Sequence, residues 1–228
     1  MNRHSTRRFA TRRFAAPLLA AALAAGTAAE ADTLLPVTPT AQEQPGWSWA
    51  AVSQMIMDYY DVPAADDSGD SQCAIANFVT GRADCTAPAG LGAYAATLKA
   101  LQGYAHNVYS LTLQGPDRLR YQEGKVLSAE ELIHEMMLER PVVVAIQPPK
   151  VSDADKDTKQ VALIVGFEGG PADLKIIVND PKLYDFGYDP YTDAGGAKRD
   201  VNGQYLIGYA DFIQQMKWTA TIYRVKPD

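Results

Sequence analysis

The chain has 228 residues, of which 47% are hydrophobic and 21% charged, and its formal net charge is −6. This composition is typical of a globular protein and excludes collagen-like repeats, a disordered chain and a bundle of membrane helices. The negative charge disfavours nucleic acid and anionic lipid as partners, because both are bound through positive side chains that neutralise phosphate.

The first 31 residues have the three-part layout of a bacterial signal peptide. Five arginines precede a short apolar run over 15–25, and a small-residue stretch ends in Ala29-Glu30-Ala31. The run is too short to span a bilayer, and Thr6-Arg7-Arg8-Phe9 suits twin-arginine export. We expect a secreted or periplasmic domain over 32–228, exported by the Sec or twin-arginine route and free of the membrane after cleavage. Residues 1–31 hold five of the basic and one of the acidic side chains, so the remaining chain carries −10.

The two cysteines, Cys73 and Cys85, both lie in this exported part. In an oxidising compartment such a pair most often forms a disulfide, which in a loop this short stabilises by about 3 kcal/mol. A metal site is the weaker alternative, because no Cys-x-x-Cys motif occurs and the histidines lie far along the chain. We expect the disulfide, no metal and no cofactor.

Hydrophobic periodicity predicts helices in the first half of the exported chain and strands mostly in the second. Residues 32–46 contain three prolines and predict an extended lead-in. Helices are predicted over 48–60, 74–78, 90–102, 128–139 and 210–216. Strands are predicted over 107–113, 142–147, 160–167, 175–180 and 219–225. This order favours an α+β fold of one domain over alternating βαβ units.

The helix over 128–139 has the clearest start and stop. Ser128 and Glu131 form a capping-box sequence, and Pro141 cannot continue the helix. Its inward face is predicted to carry four apolar residues: Leu132, Ile133, Met136 and Met137.

The segment Gln42-Glu-Gln-Pro-Gly-Trp-Ser-Trp-Ala-Ala51 leads into the first predicted helix. It resembles the active-site segment of papain-like cysteine peptidases, especially short secreted bacterial forms such as the staphopains and the bacteriocin-processing peptidases. In that family a Gln, five residues and the catalytic Cys precede Trp-Ala-Ala at the start of a central helix. Shorter similarities continue the resemblance over about 34–225: Gln72–Asn77, Gly81–Cys85, Gln160–Phe167, Val178–Pro181, Phe212 and Trp218–Thr219.

The resemblance implies a papain-like fold, with an N-terminal helical part packed on a C-terminal antiparallel β-sheet. It places Gln42 at the oxyanion position and Ser48 at the nucleophile position. Gln160 takes the position of the catalytic histidine, and Asn179 or Asp180 the position that orients it; which of the two does so stays open. Trp47 and Trp49 are expected to wall the cleft, with core aromatics as the alternative.

Ser48 and Gln160 depart from the family in a way that removes its chemistry. A cysteine peptidase attacks with a thiolate whose pKa is lowered by a helix N-terminus and an imidazolium. A serine hydroxyl is a weak nucleophile unless a base removes its proton, and an amide takes no proton near neutral pH. The sequence therefore predicts an inactive homologue that binds a peptide or protein.

Other interpretations remain open at this stage. Ser48 is also compatible with a hydrolase or acyl transferase that uses an unrecognised base, although neither His106 nor His134 is placed near it by the sequence. The aromatic segment 184–191 suits either the rim of a cleft or a packed loop. A third function is a partner-binding protein that uses this aromatic segment and has no use for the cleft. Two acidic stretches, 66–70 and 152–157, alternate acidic and small residues as some calcium loops do, but neither completes the twelve-residue loop with its glycine and closing glutamate, so solvated loops are favoured.

Overall fold

The computed structural model describes residues 32–62, 71–86, 91–108, 111–113, 126–149, 159–184 and 187–227. The helices of this part are α1 (Ser48–Tyr59), α2 (Ser71–Thr80), α3 (Ala93–Val108), α4 (Ala129–Met137), α5 (Pro190–Asp193) and α6 (Tyr209–Met216). Its strands are β1 (Thr33–Leu34), β2 (Leu111–Leu113), β3 (Val142–Ile146), β4 (Gln160–Glu168), β5 (Lys175–Asn179), β6 (Ala197–Asp200), β7 (Gln204–Gly208), β8 (Ala220–Ile222) and β9 (Val225–Pro227). None of the helices in these ranges is both long and apolar enough to cross a bilayer.

The larger sheet is antiparallel and has seven strands within the described ranges. Its order is β6-β7-β5-β4-β3-β8, and β1 pairs with β4 beyond the residues that β3 covers. Gly166 permits this last pairing, because a Cβ there would lie 2.4 Å from the carbonyl oxygen of Thr33. β2 and β9 form a separate two-stranded sheet. The α+β class predicted from the sequence is confirmed.

Strand β4 is the centre of the core. Its residues from Gln160 to Phe167 are all buried, and β3 and β5 pair with its two edges. Helices α1, α3 and α4 contact it. The spacing of apolar residues on α1 predicts a stripe of Trp49, Val52, Ile56 and Tyr59. The first three are buried, and Tyr59 is half-buried at the end of the helix. A strand covered on both faces reads as a continuous apolar run, which is why 161–165 carries no polar residue.

Helix α4 begins as its sequence predicts and ends earlier. The Ser128 hydroxyl accepts from the Glu131 amide at 3.2 Å, and the Ser128 amide donates to the Glu131 carboxylate at 2.9 Å. The helix stops at Met137 instead of about Glu139, and Glu139 has a left-handed φ of 56°. Met137 is 56% exposed, so its predicted inward position is wrong, whereas Leu132 and Met136 are fully buried.

Four short elements were not predicted: β1, α5, β6 and β7. β6 is an edge strand with the sequence Ala-Lys-Arg-Asp and has no apolar alternation to reveal it. The predicted strand over 219–225 divides into β8 and β9 at Arg224, which has a φ of 60°. The predicted strand over 107–113 is also shorter, because α3 continues to Val108.

The expected disulfide joins Cys73 on α2 to Cys85, with 4.9 Å between the Cα atoms. It closes the segment that follows α2. Asn77 adds a second tie there, because its side-chain oxygen accepts from the Cys85 amide at 2.9 Å. The two links fix α2 against the chain that leaves it.

Candidate functional site

Ser48 is the first residue of α1, and a tight turn places it there. Gly46 has a φ of 80°, which a glycine adopts without steric cost, and the Trp47 amide donates to the Gln44 carbonyl at 3.1 Å. The amides of Ala50 and Ala51 then both donate to the Trp47 carbonyl. The Ser48 side chain therefore sits at the positive end of the α1 dipole, and the residue is only 2% exposed.

A backbone contact brings Ser48 to the start of β4. The Val161 amide donates to Ser48 Oγ at 3.2 Å, across 113 residues of sequence. Val161 directly follows Gln160, the first residue of β4. The structure thus brings the positions of Ser48 and Gln160 together, although the observed bond to Oγ comes from an amide donor and not from a base.

Gln160 bonds to Asp180 and Tyr184. Its Nε2 donates to Asp180 Oδ2 at 2.8 Å and to the Tyr184 hydroxyl at 2.9 Å. The Tyr184 hydroxyl in turn donates to Asp180 Oδ2 at 3.0 Å. Both protons of the Gln160 amide nitrogen are therefore engaged with this pair.

The Asp180 carboxylate accepts hydrogen bonds from four donors. Its Oδ2 accepts from Gln160, Tyr184 and the Tyr191 hydroxyl, the last at 2.9 Å, and its Oδ1 accepts from the Lys182 amide at 2.9 Å. These bonds partly replace the water that the carboxylate loses on burial. Burial raises its pKa from 3.8 to about 6, and the bonds from Lys182, Tyr191 and Tyr184 limit the rise.

Asp180 also raises the pKa values of the tyrosines that hold it. Burial is the main cause for both Tyr184 and Tyr191, whose pKa values lie well above the ordinary value of 10. The negative charge of Asp180 is the second cause for each. Both hydroxyls therefore keep their protons and act only as donors to the carboxylate at physiological pH.

Asn179 lies beside Asp180 in sequence but faces different partners. Its Nδ2 donates to the Val37 carbonyl at 3.2 Å, and its Oδ1 accepts from Gln204 Nε2 at 2.9 Å. Of the two residues left open by the sequence, Asp180 contacts Gln160. Asn179 instead links the lead-in segment to β7.

Gly203 fixes the backbone of Asp180. The Asp180 amide donates to the Gly203 carbonyl at 2.8 Å, and Gly203 has a φ of 96°. A Cβ on Gly203 would lie 2.1 Å from the Asp180 carbonyl oxygen. Only glycine fits this close approach.

Two contacts hold the Gln42 segment against the site. The Gln42 amide donates to the Pro181 carbonyl at 2.9 Å, directly after Asp180. The buried side chain of Gln72 donates to the Ala41 carbonyl at 2.8 Å and accepts from the Glu43 amide at 3.0 Å. The Gln42 side chain is half-buried at this position.

Trp47 and Trp49 do not form exposed walls of a cleft. They are 1% and 2% exposed, and their ring centroids lie 6.5 Å apart. The prediction that they form the walls of a cleft is therefore wrong, and they are core aromatics, which was the alternative interpretation. They are buried because α1 packs against the sheet, which leaves its first turn beneath the surface.

His134 is excluded as a base for Ser48. It lies on the exposed side of α4, in contact with a cavity that Phe167 and Gly169 also line. Val161, which contacts Ser48, lies at the other end of β4, and the six intervening steps of strand span roughly 20 Å. The side chain of His106 and the acidic stretches 66–70 and 152–157 lie outside the described residues. In the described ranges, no three His, Cys, Asp or Glu side chains group as a metal site.

The sequence missed the supporting residues Gln72, Tyr184, Tyr191 and Gly203. The aromatic segment 184–191 is anchored in the core at its C-terminal end and does not form a free rim there. Tyr191 is fully buried, and its ring stacks on the ring of Tyr205 with centroids 4.0 Å apart. The Asp-Pro dipeptides at 180–181 and 189–190 are the signals that mark this segment as a structured turn.

In the part of the chain that the structure describes, the neighbouring positions 48 and 160 supply a hydroxyl and an amide, and not a nucleophile paired with a base. Ser48 offers a hydroxyl at a helix N-terminus, but its neighbour Gln160 cannot accept a proton. Asp180 accepts from neutral donors and contacts Gln160, not Ser48.

The chain was compared with models of known protein families and with curated proteins. No family model matches it, and no curated protein is significantly similar to it.

Proposed function

We propose that the chain is an exported, catalytically inactive relative of the papain-like cysteine peptidases, which binds a peptide or protein segment near the start of α1. The observation that carries the proposal is the spatial order Ser48, Gln160, Asp180. Ser48 is at the N-terminus of α1, and Gln160 is the first residue of β4. Asp180 directly follows β5, the strand that pairs with β4. The residue types at the first two positions supply neither a thiolate nor a base.

The hydrogen bonds support inactivity independently of any resemblance. Ser48 is buried, and its Oγ receives an amide proton from Val161. General-base catalysis needs a proton acceptor within about 3 Å of the hydroxyl. In the described part of the chain, no such acceptor contacts Ser48 Oγ.

The first test is an activity assay of the chain over 32–228 with casein, fluorogenic peptides and a fluorophosphonate probe. We expect no hydrolysis and no labelling of Ser48. The matched control is Ser48→Ala. Hydrolysis by the parent protein that this control abolishes would overturn the proposal in favour of a serine hydrolase.

The second test restores the missing groups. The double variant Ser48→Cys with Gln160→His supplies a thiol and an imidazole beside Asp180. We expect measurable peptide hydrolysis from the double variant and none from either single variant. If the double variant folds with unchanged circular dichroism and stays inactive, the papain-like assignment loses its support.

The third test addresses binding. Panning a random peptide library on the chain over 32–228 should enrich peptides whose binding is lost in Gln42→Trp, which places a large side chain on the half-buried Gln42 position. The control Ala172→Trp puts the same bulk on an exposed turn after β4 and should leave binding intact. Equal loss in both variants, or no enrichment, would contradict a ligand site near α1.

A further inference from the structure

A cavity of about 400 Å³ opens between α4 and the turn that joins β4 to β5. Its apolar lining comes from Ile133, Met137, Phe167 and Pro171. Cavities that hold small molecules have volumes of roughly 300–1,000 Å³ and mostly apolar linings with a few polar groups. The cavity therefore falls within the size range for a ligand of modest size.

The apolar surface of the cavity is left open by the fold. Met137 is 56% exposed on the last turn of α4. The Thr33 hydroxyl reaches Met137 Sδ at 3.7 Å, which places β1 at the same surface. Apolar groups that cluster around a concavity mark interaction sites more often than scattered ones do.

Glu130 is the one carboxylate among the residues that line the cavity, and it lies one helical turn from His134. Two carboxylates outside the lining hold its glycine wall: Asp32 accepts from the Gly169 amide at 3.2 Å, and Asp173 accepts from the Gly170 amide at 3.0 Å. The lining therefore offers the Glu130 carboxylate to a cationic group, whereas the amides of these two glycines are already engaged and not available to an anion.

We propose that this cavity binds a small molecule that has an apolar body and a cationic group. The apolar body would fill the space between Ile133 and Phe167, and the cation would lie near Glu130 on the rim. The proposal concerns the end of β4 opposite Ser48 and does not rest on the proposed function. Failure of either one leaves the other unaffected.

The probes for the test are three molecules of similar size: 4-phenylbutylamine, 4-phenylbutanol and 4-phenylbutanoate. Methyl-labelled methionine spectra of the chain over 32–228 report binding through the Met137 methyl group. The buried Met57 on α1 is the internal control and should not shift. We expect the amine to bind about 2- to 5-fold more tightly than the alcohol, as a partly exposed ion pair allows, and the carboxylate to bind most weakly.

Two variants connect the binding to the cavity. Glu130→Gln should remove the preference for the amine, whereas Glu139→Gln, a nearby carboxylate outside the cavity lining, should keep it. Met137→Trp changes an exposed residue and should cover the opening, so that calorimetric titration detects binding of all three probes to the parent chain and of none to this variant. Absence of binding at millimolar concentration, equal binding of all three probes, or an amine preference that survives Glu130→Gln would each overturn the proposal.

Discussion

The two ends of β4 show opposite ways of finishing a buried strand. At its start, Gln160 enters a polar cluster in which the donors and acceptors of Asp180 and Tyr184 are paired with one another. At its end, Phe167 lines an open cavity with an exposed methionine at its mouth. One end has its polar groups paired and closed off, and the other has apolar surface left uncovered.

The difference follows from the cost of each kind of exposure. A buried polar group without a partner costs about 1–3 kcal/mol, so the chain cannot bury Asp180 without supplying donors for it. Leaving Met137 56% exposed forgoes only about half of the roughly 1.5–3 kcal/mol that full burial of such a side chain is worth, and it leaves no polar group without a partner. The paired polar groups at one end therefore indicate a fixed structure, whereas the open end leaves room for a ligand.

The largest effect is expected from Gly203→Ala, which breaks the closed end. The new Cβ would collide with the Asp180 carbonyl and strain a φ of 96°. We expect the free energy of unfolding to fall by about 3 kcal/mol, measured by urea denaturation. Gly195→Ala is the control, since Gly195 has a similar φ of 81° but open space around it, and it should lose only about 1 kcal/mol. Equal losses would show that the contact with Asp180 is unimportant.

The pH dependence of stability tests the charge at the closed end. The folded-state pKa of Asp180 is raised from 3.8 to about 6, so protonation is favoured by folding. Its contribution to stability is complete below about pH 4 and falls by about 3 kcal/mol as the pH rises through 6.

The variant Asp180→Asn has no charge to bury, so its free energy of unfolding should not fall as the pH rises through 6. We expect its free energy of unfolding, relative to the parent protein, to improve by about 2 kcal/mol between pH 4 and pH 7. The exposed Asp193→Asn serves as control and should show no such change. A constant difference between the Asp180 variant and the parent at both pH values would contradict the raised pKa.

Tyr184→Phe removes one donor from the Asp180 carboxylate and one acceptor from Gln160. We expect a loss of about 2 kcal/mol at pH 7, because bonds to a charged group are the stronger ones. The loss should shrink at pH 4, where Asp180 is protonated, and thermal or urea unfolding at the two pH values measures it. A loss independent of pH would mean that the hydroxyl does not act through the carboxylate.

The smallest effect is expected at the open end. Met137→Ala should change the free energy of unfolding by less than about 0.5 kcal/mol, because the side chain is largely exposed. Its neighbour Met136 is fully buried, and Met136→Ala should cost about 3 kcal/mol. Urea unfolding of the two variants compares them directly. A large loss from Met137→Ala would show that this surface is packed instead of available to a ligand.

The sequence predicted local secondary structure wherever an apolar pattern repeats or a short motif marks the end of an element. The helical stripe of α1, the capping box of Ser128 and Glu131, and the β-branched runs of β3, β4 and β5 all predicted their elements within a few residues. The cysteine count and the expected compartment predicted the pairing of Cys73 with Cys85. Two-residue β1 and charged β6 carry no such pattern, and they form only because β4 and β7 offer them edges.

The sequence by itself determined that position 48 carries a hydroxyl and position 160 an amide. The tertiary structure decided which partners those residues meet. Gln160 contacts Asp180 and not Asn179, and the side chains of Trp47 and Trp49 are buried. The hydroxyls of Tyr184 and Tyr191 both donate to the Asp180 carboxylate. These contacts depend on strand register and on turns that link distant parts of the chain, and periodicity within a segment contains no information about either.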